Sequence, residues 1–310
     1  MNIKKKLRSV LPASWIRSLS ILRNPCLLHK TYGQRLAPFL RVSAGAHASD
    51  VDTLKARLRM YAHILEKGIR RRDFEPGHGS AIHSQAITCL ARLACNDDES
   101  VRWARAIVAE YEVLQRGAPT HKFSPPHASP LTAEQSLAFL QSRSSCRDLS
   151  DAPVPEDAFL QMAEAAQQAA TSCNRQTLRM FCASGNEAAL GLLGCFKGFT
   201  GFGRGVQAGI VFAVDLRPYD FPRELFVPAV DSSLGVQNAV MQAHAIGLSV
   251  TLLSWGNSTP ADEEKLRRLA GIPDYCLILV GAVVGFPLSN PEKPARMPAR
   301  DILRIIRSGK

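Results

Sequence analysis

The sequence predicts a mixed helix-and-strand core of α+β or α/β class, preceded by a small all-helical module. Three observations carry that prediction. Beyond residue 132, helical and strand periodicities follow one another in mixed order. Several of these steps are direct helix–turn–strand transitions, clearest where Gly247 ends a helical run and 248–253 follows at once as a strand. Finally, the stretch 118–130 holds four prolines and two histidines, a composition that cannot continue a helix and marks a boundary.

Taken in order, residues 1–50 lack a clear period and read as a basic, partly ordered arm. A helical module over 51–117 follows. Its first helix, 51–67, carries Leu54, Leu58, Tyr61 and Leu65 on one face and meets Gly68; two more fall near 80–95 and 99–116, the last ending at Gly117. After a Pro-rich linker at 118–131, one domain spans 132–310. There a helix near 132–141 precedes one opened by Pro155, with Phe159, Met162, Ala163 and Ala166 on a single stripe. Strands are expected at 178–183, 208–214, 248–253 and 276–284, the last the most apolar and central. Asp231 is a candidate cap for the helix that ends at Gly247, a further helix lies near 261–270, and 301–307 is read as a closing helix.

The net charge of +11 is unevenly placed. Through Arg72 there are 16 Lys or Arg against the acids Asp50, Asp52 and Glu66, and the remainder is slightly acidic. A basic arm of this kind suits an anionic membrane surface, nucleic acid or plain solvation. It lacks aromatic interleaving and any recognised motif, so nucleic acid is not expected as a partner. The eight cysteines form no CxxC pair and no metal-type spacing, which fits a reducing compartment and predicts no metal site. The charged start Met-Asn-Ile-Lys-Lys-Lys is followed by Arg8, Pro12, Arg17 and Arg23, which interrupt any signal-peptide apolar run. With no run of about 18 apolar residues elsewhere, a cytoplasmic protein is expected, with peripheral contact to the inner membrane face through the arm.

Two segments carry the chemistry. Arg143-Ser144-Ser145-Cys146-Arg147 places two guanidiniums and two hydroxyls in five residues. Arginine offers charge-assisted donors in a fixed fork that matches a phosphate ester, and turn amides and hydroxyls complete such a cradle. Ala170-Thr171-Ser172-Cys173-Asn174-Arg175-Gln176 is a small-polar turn whose amide side chains each offer a donor and an acceptor, suited to the edge of a planar heterocycle. An amphipathic helix between them could hold both turns in one site. Gly198 to Gly205 contains a GxGxG echo, but no strand precedes it, so it reads as a loop rather than a dinucleotide fingerprint. His244 reads as a core histidine.

These segments resemble the flavin-mononucleotide signature of the nitroreductase family. The first is similar to its Arg-x-Ser-x-Arg opening, with Leu149 where an aromatic is usual. The second is similar to Ala-Pro-Ser-x-x-Asn-x-Gln-Pro-Trp, with Thr171 in place of the first Pro and Thr177-Leu178 in place of Pro-Trp. Two further blocks keep the family's order: Asp231 to Asn238 with Ala243 to Leu248, and Leu279 to Pro287 with Lys293 and Arg296. The segment from His63 to Gly79 resembles one that precedes the reductase domain in some relatives from polysaccharide gene clusters.

The resemblance implies an α+β nitroreductase-like domain with a central, mainly antiparallel sheet flanked by helices. It also implies a homodimer with the flavin near the subunit interface, where the partner lends residues. Arg143, Ser144, Ser145, Arg147, Lys293 and Arg296 would then hold the phosphate and ribityl of FMN. Ser172, Asn174 and Gln176 would meet the flavin, and Thr251 and Leu252 would run along it. The implied activity is electron transfer from NADH or NADPH through FMN to a small organic acceptor, a quinone or nitroaromatic-like compound. The flavin carries the redox chemistry, so no catalytic side chain is expected. The alternative is a protein of the same fold with reduced or no catalysis, a partner in a membrane-associated polysaccharide system.

Overall fold

The computed structural model describes residues 36, 38–40, 42, 50–118, 126–202, 205–221 and 223–308. Most of the arm at 1–50 and the middle of the 118–131 linker thus lie outside the described residues. Helix α1 (Val51–Ile69) starts at Asp50, whose Oδ1 accepts from the Asp52 and Thr53 amides at 2.9 and 3.4 Å. Its buried stripe of Leu54, Leu58, Ala62, Leu65 and Ile69 packs on α2 (Ser80–Arg92) and α3 (Glu99–Gln115). Together the three helices close a core of their own.

Beyond the linker, a capping box between Thr132 and Gln135 starts α4 (Ala133–Ser142). Next come α5 (Glu156–Gln167), β1 (Leu178–Ser184), α6 (Asn186–Leu193), β2 (Ala208–Asp215) and α7 (Val227–Ala245). The chain continues through β3 (Ser249–Ser254), α8 (Pro260–Ala270), β4 (Cys276–Gly285) and a short α9 (Ala299–Ile302). The four strands form one sheet in the order β1-β2-β4-β3, antiparallel throughout. This is the expected α+β class, with an antiparallel sheet flanked by helices and an all-helical segment before it, and β4 inside the sheet.

The alternation of side chains along a strand explains how both faces are covered. Ile210 and Phe212 of β2 point to one face, packing with Phe159 and Met162 of α5 and Val236, Ala239 and Val240 of α7. Val211 and Ala213 point to the other, against Leu192 and Leu193 of α6, Trp255 just after β3, and Leu266 of α8. Every residue of β2 is therefore buried, and a side chain the size of Phe212 contributes about 1.5–3 kcal/mol by leaving water. Close approach of α7 to α5 depends on Gly235: a Cβ there would stand 2.8 Å from Leu178 and 3.1 Å from the Ala166 carbonyl oxygen. At the other end, Gly247 adopts φ +82°, and the Leu248 amide closes back on the Ala243 carbonyl at 2.8 Å, turning the chain straight into β3.

Several expectations are corrected. Asp231 does not cap its helix, because α7 begins earlier, at Val227 with Pro228 in its first turn. Asp231 instead lies buried inside it. The closing helix at 301–307 is absent: α9 ends at Ile302, and Leu303 turns extended. Helix α6 was not expected, its eight residues being too few and too evenly apolar to show a period. The GxGxG echo follows α6 rather than a strand, and its Gly203 and Arg204 lie outside the described residues.

Candidate functional site

The 143–147 segment leaves α4 in extended conformation, with Arg143 at φ −70° and ψ 131°, and is pinned from two sides. From β3, Ser249 Oγ accepts from the Cys146 amide at 3.0 Å, and Thr251 Oγ1 donates to the Cys146 carbonyl at 3.0 Å. From the end of β4, the Ser150 amide donates to the Phe286 carbonyl at 2.9 Å. The Leu288 amide donates to that of Asp148 at 3.0 Å, with Leu149 opposite Pro287. This short ladder turns the C-terminal segment back beside the turn. Lys293 Nζ then bonds the Gln141 carbonyl at the end of α4.

The result is a cleft of about 810 Å³ into which Arg143, Ser144, Ser145, Arg147, Lys293 and Arg296 converge. Among the described residues, four cations face it against the single carboxylate of Glu292. Three forked guanidiniums, an ammonium and two hydroxyls form a donor set that suits a phosphate monoester. Arg147 is steadied by lying over the Phe202 ring, 5.8 Å from its centroid.

His244 borders this charge. It is half-buried at the end of α7 rather than in the core, its Nε2 2.6 Å from Ser142 Oγ and its ring stacked on Phe139 at 5.6 Å. Burial, then Arg143 and Lys293, hold its pKa below the usual histidine value. The core expectation for His244 is thereby corrected: beside the Phe139 ring, it meets the Ser142 hydroxyl and the cations of the cleft.

The second segment is built differently. Ser172 to Asn174 forms a single 3₁₀ turn, and Cys173, Asn174 and Gln176 all adopt positive φ, 52°, 56° and 55°. Such angles are costly for residues other than glycine and persist where the surroundings impose them. Here Ser172 Oγ donates to Asp231 Oδ1 at 2.9 Å, and Tyr219 Oη donates to Asp231 Oδ2 at 2.9 Å. The Thr177 hydroxyl lies 2.7 Å from that same phenol oxygen. Arg175 is buried, its guanidinium 2.9 Å from Glu224 and 4.8 Å from the Tyr219 ring centre. Gln176 Nε2 donates to Asn174 Oδ1 at 2.7 Å, so the two amides present one joined edge.

Within one chain the two segments do not share a cavity. Gln176 lines a second cleft of about 410 Å³ with Thr171, Arg179 and Asp231, apart from Arg143. The physical reason lies in α5, which stands between them in the chain and, with twelve residues, is about 18 Å long. Leu252 is exposed and lines a third, apolar hollow with Phe226, Trp255 and Leu279, whereas Thr251 is buried behind the 143–147 turn.

Three features were missed by sequence reasoning: the clamp of Ser249 and Thr251 on Cys146, the Asp231–Tyr219–Thr177 network, and the contact of α1 with the second segment described below. Pro228 was the available signal for the second, since proline favours the first helical turn and would have placed Asp231 inside the helix. Among the described residues, no helix is long and apolar enough to cross a membrane.

Comparison with known proteins bears on the same region. The model of the nitroreductase family matches residues 140–194. An NADPH-flavin oxidoreductase of Vibrio harveyi is 27% identical over 103 residues, covering 30% of this chain and 42% of the relative. The chain thus spans less than half the length of that curated relative. Among solved structures, nitroreductase A of Vibrio parahaemolyticus has a TM-score of 0.48 at 22% identity, covering 56% of this chain and 77% of its own. The NADPH:FMN oxidoreductase of Vibrio harveyi, solved with NAD+, has a TM-score of 0.48 at 20% identity, covering 56% and 78%. The matched residues include both chemistry-bearing segments, the Arg143 turn and the Asn174 loop, and over this stretch the chain is similar to the nitroreductase family.

Proposed function

We infer that the chain is an FMN-dependent oxidoreductase that takes electrons from NADH or NADPH and passes them to a small organic acceptor, a quinone or nitroaromatic-like compound. The observation that carries the reading is the basic cleft at Arg143, with its forked donors and backbone held by β3 and β4. The match of residues 140–194 to the nitroreductase family and the similarity to a curated NADPH-flavin oxidoreductase support it.

In this reading Arg143, Arg147, Lys293 and Arg296 hold the FMN phosphate, and Ser144 and Ser145 serve the phosphate and ribityl oxygens. Thr251 supports that cradle from behind through Cys146. Ser172 positions the strained loop through Asp231, while Asn174 and Gln176 offer their joined amide edge to the ring. FMN, when bound, supplies hydride and electron transfer; the protein supplies binding, orientation and a polarised surface. No side chain is assigned as acid or base.

Because the Arg143 cleft and the Asn174 loop face different cavities in one chain, one flavin touching both requires a second copy. A homodimer is supported by α7 and the residue at its N-cap, where Phe226 (78%), Val230 (59%) and Leu234 (47%) are exposed at i, i+4 and i+8, one apolar stripe open to a partner. The departures Thr177 and Leu178 are absorbed by the fold: the first bonds Tyr219 and the second packs on Gly235. That favours catalysis over the alternative of an inert partner in a polysaccharide system.

Colour tests the reading. The purified chain incubated with FMN should turn yellow and stay so through gel filtration. NADH or NADPH without oxygen should bleach it, and a quinone or nitroaromatic should restore the colour. A chain that stays colourless after FMN incubation overturns the enzyme assignment.

A further inference from the structure

The loop that carries Ser172, Asn174 and Gln176 is held from outside its own domain. Helix α1 of the N-terminal module packs against this turn, and Arg59, in its middle, donates from Nη2 to the Arg175 carbonyl at 2.8 Å. The other terminal nitrogen of Arg59 reaches Ser100 Oγ at 3.4 Å. Ser100 bonds Asp98 Oδ1 at 2.9 Å, and Asp98, the cap of α3, pairs with Lys55 at 2.6 Å. One guanidinium therefore ties α1, the start of α3 and the strained loop together.

A second tie lies at the edge of the same junction. Buried Arg217 is gripped by Asp215 at 2.6 Å and lies over the Tyr275 ring at 3.7 Å. It also reaches Asp50, the cap of α1, at 2.8 Å. The module is thus seated on the domain by an ion pair at one end of α1 and by Arg59 about two turns and a half further on. Arg59 itself is strongly desolvated, and burial together with Arg179 lowers its pKa to about 10. Its Nε is buried without a hydrogen-bond partner, and leaving a charged group so placed is costly unless it serves a fixed geometry.

The loop needs such a constraint. Three of its residues occupy left-handed backbone angles without being glycine. Its inner face is fixed by Asp231, Tyr219 and Glu224, but Arg175, between Asn174 and Gln176, has its carbonyl free of those groups and directed at Arg59. We propose that the N-terminal helical module is a clamp for this loop, with Arg59 as the positioning residue that holds Asn174 and Gln176 in their left-handed conformation. The proposal rests on the preceding reading only in naming what the loop then binds, the flavin of the site.

The test is hydrogen–deuterium exchange on the full chain without flavin, comparing wild type with Arg59→Ala. The amides of Asn174 and Gln176 are bonded within the loop, to the Thr171 carbonyl and to Thr171 Oγ1, so their protection reports its order. Exchange over 171–177 should rise about tenfold or more in the variant, with α2 and β2 unchanged, an effect that a generally loosened fold would not confine there. Where Arg59→Ala does not fold, Arg59→Lys, which keeps the stem and the charge but not the fork, decides on the same criterion. Unchanged exchange over 171–177 in a folded variant overturns the clamp. FMN titration of the same samples separates the two ideas. A wild type that binds no FMN but shows the exchange difference retains the clamp and loses the flavin reading. One that binds FMN but shows no exchange difference does the reverse.

Discussion

Thr251, in the middle of β3, donates its hydroxyl hydrogen bond to the carbonyl of Cys146, 105 residues earlier, at 3.0 Å. This bond fixes the backbone of the arginine turn from the buried side, leaving the guanidiniums of Arg143 and Arg147 free to face the cleft. Thr251→Val keeps the shape and removes the donor. We expect a loss of about 1–2 kcal/mol in stability, the usual cost of a buried hydrogen bond, and weaker FMN binding from a looser turn. Urea unfolding and flavin titration of the two proteins check this.

Arg143→Ala removes one fork of the cradle without touching the bonds that pin Cys146. A charge-assisted bond contributes about 1.5–3 kcal/mol, so FMN affinity should fall at least tenfold while the melting temperature stays near that of wild type. Unchanged flavin occupancy after gel filtration would place the phosphate elsewhere.

Tyr219→Phe cuts the network behind the second segment. The phenol donates to Asp231 at 2.9 Å and lies 2.7 Å from the Thr177 hydroxyl. Burial raises its pKa, so it remains a neutral donor. The variant leaves two buried polar groups short of a partner, which predicts a loss of about 1–3 kcal/mol in thermal or urea unfolding. Asp231→Asn, which can still accept from one neighbour, should lose less.

The pKa of His244 should report on the cleft. It is lowered by burial and by the nearby cations Arg143 and Lys293. An anion bound to those cations offsets the part they contribute, so the pKa should rise when inorganic phosphate or FMN binds. The sign for stability follows. With the folded pKa below the unfolded one, the neutral ring's stabilising contribution is complete above the unfolded value and is lost as pH falls through the folded one. Imidazole NMR titration with and without phosphate gives both quantities, and a pKa that falls on phosphate binding contradicts the placement of the anion.

The elements that carry their own signals were legible from composition and period. Gly247 marked the end of α7, the stripe Leu54, Leu58 and Leu65 gave α1, and the apolar run at Cys276 gave an interior strand, because each depends on side chains within a few residues of one another. Asp231 was misread for the opposite reason. Its bonds to Tyr219 and Ser172 come from distant parts of the chain, and local rules saw only an acid ahead of a helical pattern. The closing helix failed similarly: beyond Ile302 the apolar residues Leu303, Ile305 and Ile306 are exposed, with no packing surface to reward a helical face.

The sequence by itself determined the class of fold and the residues capable of holding a phosphate, since propensity, patterning and the forked chemistry of arginine are local properties. Only the tertiary structure decided how they combine. It brought Lys293 and Arg296 to Arg143 through a ladder between Leu149 and Pro287. It set the Asn174 loop on a different cleft, and it placed Arg59 of a separate helical module on that loop's backbone. Hydrogen bonds between residues a hundred positions apart leave no periodicity in the chain, so they became visible only once the strands and helices had been packed.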